Sequence, residues 1–354
     1  MPELTRPLGH EHVVRGLVES ARKDSLPHAL LFTGRPGIGK YRSALWLAAT
    51  LLCETGGDEP CGGCGPCTRV ARDSHADLHV VDHRASGQDR ISIHFVATRD
   101  PRPRDGYQGP SVEAFLGLRA EEGRGKFVIV READGMNEEA QNAFLKMLEE
   151  PRPGVHLLLE SGSPGSLLET VRSRVVTVRF DALDTATTND IIASLDGAGD
   201  ADELLCASRM AGGSPGEALR LVQRAAPAMQ RVLADVLRGE LSAAEGTRAL
   251  FDLDGEFPGR TAAAVRRTRA RTILDLGLEI LTDLERVVSG VDPVALPHGD
   301  VARGILDAMN ANGGGHWETP VQRRIAEAWL RARSDLELNL SPEALVDRVL
   351  AARS

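Results

Sequence analysis

Short apolar runs bounded by glycine or charge alternate with amphipathic stretches over the first 181 residues, and longer amphipathic stretches fill the rest of the chain. His28-Ala-Leu-Leu-Phe-Thr33 is a short apolar run ending at Gly34, the pattern of a strand buried in a parallel sheet. A second run, Phe127–Val130, lies between Lys126 and Arg131. A helical pattern follows each. The first runs up to Cys53; the second has Asn137 as N-cap, Glu138 and Glu139 in its first turn, Phe144, Leu145 and Leu148 as its apolar face and Pro151 as its stop. This alternation predicts an α/β domain over residues 1–181. Residues 182–223 read as a small helical group. Beyond them, amphipathic helices are predicted at 225–238, 260–288, 301–309 and 320–333, with a last one starting at Pro342. Residues 98–112, with Arg99, Pro101, Arg102, Pro103, Arg104, Gly106 and Pro110, read as an exposed loop open to contact with DNA or a partner.

A length of 354 residues fits two to three domains, and 42% apolar with 26% charged residues excludes collagen-like or disordered chains. The net charge of −9 excludes a general polyanion binder, because affinity for DNA comes from dense cationic surface. Aromatics at 4% are too few for a base-stacking platform. The arginine groups 99/102/104, 266/267/269/271 and 323/324/331/333 read first as solvated faces and second as local DNA contacts. The longest apolar run, Ala44–Leu52, is too short to span a bilayer, and the start Met1-Pro2-Glu3-Leu4-Thr5-Arg6 has no apolar core of a signal peptide. The expectation is a cytoplasmic protein with no membrane contact.

Cys53, Cys61, Cys64 and Cys67 are spaced C-x7-C-x2-C-x2-C, with glycine and proline between the last three. Two-residue gaps let thiolates point at one ion, and glycine permits the turns that aim them. Four soft ligands with no place for water describe a closed structural zinc site. A reducing cytosol disfavours disulfides, and iron–sulfur ligand spacings differ. Cys206 lies in a helical stretch and reads as a buried small residue.

Gly34-Arg35-Pro36-Gly37-Ile38-Gly39-Lys40-Tyr41 stands between the first strand and helix. Strand, G-x4-G-K, helix is the context of a phosphate-binding loop, in which backbone N–H groups, the helix dipole and Lys40 face one polyanion. The position after the lysine needs a short hydroxyl for Mg²⁺, and Tyr41 carries its oxygen at the far end of a ring. At the end of the second strand, Arg131 opens Arg131-Glu-Ala-Asp134, where a metal-binding acid belongs. Gly34, Gly37, Gly39 and Lys40 have the chemistry to hold ATP; the means to split it are missing, and whether nucleotide binds stays open.

The stretch from Asn137 to Pro151 resembles the helix after the second ATPase strand in bacterial clamp loader subunits of the AAA+ class, a family in which a four-cysteine module after the first helix is typical. Thr170-Val-Arg-Ser-Arg174 is similar to the family's serine–arginine–cysteine element, with Val175 in place of the cysteine. Ala211–Arg220 resembles the start of a lid helix, and Asp335–Leu350 the closing collar helices. The likeness runs nearly end to end, densest over residues 25–180 and weakest over 225–320. It implies a P-loop AAA+ domain (1–181) with a zinc module (53–67), a helical lid (182–223) and an all-α collar (224–354). The hydrolysing gamma or tau member would have Ser or Thr at Tyr41, Asp at Arg131 and Arg at Gly216. The departures therefore imply the non-hydrolysing member that assembles with gamma/tau and delta to load a sliding clamp on primed DNA. In that family the arginine at position 174 reaches a neighbour's ATP, and Arg172 is the alternative.

His28, His75, Asp77 and His79 alternate with apolar residues and read as a strand with its approach loop rather than a metal or acid–base site. Two other readings stay open: a self-sufficient AAA+ ATPase, supported by Lys40 and Glu132, and a zinc-bearing DNA-binding protein, opposed by the acidic charge and scarce aromatics.

Overall fold

The structure, a computed structural model, describes residues 4, 6–98, 109–122, 124–195, 199–311, 319–338 and 340–352. Most of the expected loop at 98–112, including Arg99, Arg102 and Arg104, lies outside these residues, as does the side chain of Arg323. The chain divides into two compact units, Met1–Leu183 and Asp184–Ser354.

The first unit is built on a five-stranded sheet of β1 (Ala29–Thr33), β2 (Leu78–Val81), β3 (Lys126–Val130), β4 (Val155–Ser161) and β5 (Val176–Arg179). The strand order is β2-β3-β4-β1-β5 and every pairing is parallel. Parallel strands need helical crossovers, which cover both faces and make the central strands apolar throughout. Alternation then sorts side chains between two layers. Ala29, Leu31, Val128, Val130, Leu157 and Leu159 face a core with Phe95, Phe115 and Phe144. Leu30, Phe32, Phe127, Ile129 and Leu158 face a core with Val14, Val18 and Leu47. Around the sheet lie α1 (Glu11–Arg22), α2 (Lys40–Leu52), α3 (Gly65–Ala71), α4 (Ile93–Val96), α5 (Val112–Gly117), α6 (Glu138–Glu149) and α7 (Glu169–Arg172). The Asn137 side chain accepts the Ala140 N–H at 2.9 Å and caps α6. The strand read as Phe127–Val130 begins one residue earlier, because Lys126 is buried: its Nζ lies 4.0 Å from the centre of the Phe115 ring and donates to Phe115 O at 2.9 Å.

In the second unit α8 (Thr185–Ala193), α9 (Ala201–Met210) and α10 (Pro215–Gln223) share a small core of Ile192, Leu204, Ala207, Ala211 and Ala218. Cys206, expected to be buried, is half-buried on α9 and donates to Gln230 Oε1 at 3.0 Å. A larger core gathers α11 (Ala226–Arg238), α12 (Ala243–Asp252), α13 (Ala262–Val288), α14 (Gly299–Ala311), α15 (Thr319–Asp335) and α16 (Pro342–Ala351). Helix α12 goes unread in the sequence, although Ser242 and Glu245 form a capping box at its start. Among the described residues, no helix is long and apolar enough to cross a membrane.

The 27-residue helix α13 has a glycine in its middle for a packing reason: a Cβ on Gly277 would lie 1.9 Å from Cζ3 of the fully buried Trp329. Alanine would gain about 1 kcal/mol of helix propensity, but overpacking a close-packed core costs about 1–3 kcal/mol or more. Gly277→Ala is therefore expected to lower the melting temperature by roughly 2–8 °C, checked by thermal unfolding of the full chain; an unchanged or raised value would mean that Trp329 moves aside freely.

Candidate functional site

The glycine-rich loop leaves the carboxyl end of β1, which lies between β4 and β5. In open α/β sheets this edge is where ligands bind. Gly34, Gly37 and Gly39 have φ of +149°, +77° and +105°, conformations that L side chains rarely adopt. A Cβ on Gly34 would also lie 2.5 Å from Phe180 O. Gly39 is the N-cap of α2, so the positive end of that helix faces the loop. Lys40 is only 2% exposed, and its Nζ donates to Gly34 O at 2.7 Å and Arg35 O at 2.9 Å. Burial lowers its pKa, while Glu160, Asp134 and Glu132 pull it back up.

Beside the loop, Tyr41, Arg131, Asp82, Glu132, Asp134 and Glu160 form a cluster of charged and aromatic groups. Arg131 follows β3, forms an ion pair with Asp82 beyond β2, and lays its guanidinium 4.3 Å from the centre of the Tyr41 ring. Burial pushes the Tyr41 phenol up to about 12. Glu132, at φ +46°, pairs with Arg84 at 2.8 Å, and Asp134 Oδ1 accepts the Gly162 N–H at 3.1 Å. Glu160, on β4, is raised in pKa by burial against the pull of Lys40 and Arg131. Asp82 and Glu160 were not anticipated from sequence; the signal available was their position at the carboxyl ends of strands.

Arg174 lies on the other edge of the sheet. Val176 pairs with Leu30 and Arg179 with Thr33, so the residues before Val176 lie at the amino edge and the glycine-rich loop at the carboxyl edge. The Arg174 guanidinium donates to Thr170 O at 2.9 Å and pairs with Glu149 at 2.8 Å, half-exposed to solvent. Arg172 is exposed and makes no ion pair among the described residues.

The four predicted cysteines converge: their sulfurs all lie within 4.8 Å of one another. Cys53 follows α2, Cys64 is the N-cap of α3 and Cys67 is in its first turn. Cys53 and Cys64 sulfurs are 3.8 Å apart, too far for a disulfide but close to the edge of a tetrahedron with metal–sulfur bonds of about 2.3 Å. The N–H of Cys61 donates to Cys53 Sγ and that of Cys64 to Cys61 Sγ, each at 3.4 Å. Burial pushes the Cys53 thiol up, but hydrogen bonds from Thr55 and Cys61 overcome it and hold the thiol at about 6. The donor set fits a tetrahedral zinc ion.

His28, His75, Asp77 and His79 do not converge on one centre. The Asp77 carboxylate accepts the N–H groups of Glu121 and Glu122 at 2.8 and 2.9 Å. His75 Nδ1 accepts the Asp77 N–H at 3.0 Å, the His28 Nε2 lies 3.1 Å from Leu148 O, and His79 packs on the Phe115 ring.

The model of the family described as "DNA polymerase III, delta subunit" matches residues 9–184. DNA polymerase III subunit delta' of Bacillus subtilis is 34% identical over 184 residues, which are 52% of this chain and 51% of that protein. DNA polymerase III subunit tau of Escherichia coli is 33% identical over 178 residues, 50% of this chain and 25% of that protein. The chain thus spans about half, or less, of the length of these relatives. A solved structure of a gamma subunit-related protein from Thermotoga maritima aligns loosely, with 15% identity, 95% of this chain, 98% of that chain and a TM-score of 0.41.

The histidines yield a pH prediction. Burial lowers His10, His75 and His156, and brings His79 down to about 4. The unfolded chain, with histidines near 6.5, then binds more protons than the folded one below that pH. The histidine contribution to stability is full above about pH 6.5 and falls as pH drops, by roughly 2 kcal/mol at pH 5 from His79 alone, while the raised carboxyls of Asp73, Glu160 and Asp275 act in the opposite direction. Urea midpoints at pH 7.5 and 5 check this, and His79→Leu is expected to flatten the slope.

Proposed function

With residues 9–184 belonging to the family of DNA polymerase III delta-type clamp-loader subunits, we propose that this chain is the delta-prime subunit of a bacterial clamp loader. On this reading it is a cytoplasmic, non-hydrolysing AAA+ protein. It assembles with gamma/tau and delta, and helps load the sliding clamp on primed DNA, which it meets through the complex. Residues 1–181 are the AAA+ domain, 182–223 the lid and 224–354 the collar that holds the ring together.

The observation that carries the proposal is Arg131 lying on Tyr41 and paired with Asp82, beside a loop that keeps its glycines and Lys40. At an effective dielectric of about 20, a dication about 4 Å from a guanidinium is repelled by roughly 8 kcal/mol. The loop and the helix N-terminus still suit a phosphate chain, and ATP held there would persist unsplit. Arg174 faces the edge of the sheet remote from this chain's own loop, which suits a guanidinium offered to a neighbouring subunit's nucleotide. The charge spreading over the equatorial oxygens during phosphoryl transfer is what such a group stabilises. To reach outward, Arg174 exchanges its exposed pair with Glu149, an exchange that costs little because such pairs contribute about 0–1 kcal/mol. Zinc, bound by Cys53, Cys61, Cys64 and Cys67, supplies a cross-link where the local core is thin.

The isolated chain is expected to show no magnesium-dependent ATP turnover above background. In a reconstituted loader, Arg174→Ala is expected to lower DNA- and clamp-stimulated ATPase by about tenfold or more, with little rescue by Arg174→Lys, since an ammonium lacks the planar fork. Brisk turnover by the isolated chain, failure to join gamma/tau and delta, or an Arg174→Ala loader of unchanged ATPase would each overturn its part of the proposal. Metal analysis of the purified chain is expected to give one zinc per molecule, lost on Cys61→Ser.

A further inference from the structure

Helix α2 ends at Leu52 and hands directly to Cys53, which is its C-cap. The last carbonyls of a helix have no partner within it, and that end carries about half a negative charge. A divalent ion bound by four thiolates adds a net charge of about −2 at the same place. Two sources of negative charge therefore meet at Cys53, which is itself buried, and charge placed there needs compensation.

Three arginines surround the segment between the first and second cysteines, but they act differently. Arg22 donates to Gly56 O at 2.9 Å and pairs with Asp58 at 3.0 Å, and Arg6 pairs with Glu59 at 2.9 Å. Those ion pairs lie in solvent and neutralise carboxylates, not the helix end. Arg124 arrives from 71 residues away and directs one Nη to Cys53 O and the other to Glu54 O, at 3.4 Å for the latter. It pairs with no carboxylate among the described residues, so its charge is left to act on the carbonyls and the sulfur beside them.

We propose that Arg124 is a positioning residue for the four-cysteine centre: its guanidinium caps the carbonyls of Cys53 and Glu54 at the negative end of α2, fixes Cys53 Sγ toward the other three sulfurs and offsets the charge of the metal–thiolate group. The inference rests on the reading of the four cysteines as a metal site. A fork that serves two carbonyls is a property of guanidinium, so lysine can supply the charge but only one of the two contacts. Partners that orient ligands in this way are worth about 10–100-fold in metal affinity.

The test uses the full chain, freed of metal and titrated with Co²⁺, whose visible bands report tetrahedral thiolate ligation, followed by zinc competition against a chromophoric chelator. The expected result is that Arg124→Ala weakens metal binding about 10–100-fold while the tetrahedral spectrum is kept. Arg124→Lys is expected to recover part of the loss and Arg124→Gln, which keeps donors without charge, less. Circular dichroism of the metal-free proteins confirms that each variant is folded. Cobalt affinities of Arg124→Ala and Arg124→Gln within about twofold of the unaltered chain would overturn the inference and leave the metal reading intact. An unaltered chain that takes up no cobalt would overturn both.

Discussion

Parallel pairing throughout gives the sheet a single polarity, and the placement of the glycine-rich loop, Arg131 and Arg174 follows from it. Strands that all point one way bring their carboxyl ends to one edge, and with them the glycine loop, Arg131, Asp82 and Glu160. The same polarity sends Arg174 to the opposite edge, together with Glu149 at the end of α6. A single antiparallel strand in place of β5 would have put the arginine beside the chain's own loop.

At the carboxyl edge the glycine-rich loop and the groups beside it are held by different kinds of contact. The glycines and Lys40 are tied to backbone geometry: Gly34 backs onto Phe180 O, and Lys40 fastens the loop through two carbonyls. Those contacts belong to the fold itself. Next to them Arg131 is held by an ion pair with Asp82 and by the Tyr41 ring.

Much of this was legible in the sequence where local pattern carries the information. β1 and β3 announce themselves as apolar runs ending at Gly34 and Arg131, and Asn137 caps its helix as its side chain predicts. The cysteine spacing placed four sulfurs together because two-residue gaps leave them few alternatives. By contrast, β5 is largely exposed at an edge of the sheet, and its Val-Thr-Val-Arg alternation is only four residues long, too short to read as a strand on its own. Asp82, Glu160 and Arg124 are single residues whose partners lie far along the chain, 71 residues away for Arg124, and no periodicity encodes such pairs. Helix α12 was missed although the Ser242–Glu245 box marked its start.

One helix joins the two chemistries of the first unit. α2 opens on Lys40 and closes against Cys53, thirteen residues that make a strut about 20 Å long at roughly 1.5 Å per residue. Such a rod is stiff along its axis and packs its Leu47 and Leu52 under the sheet. The cysteine cluster and the glycine-rich loop are therefore fixed at the two ends of one rod, and the spacing between them is set by the length of α2.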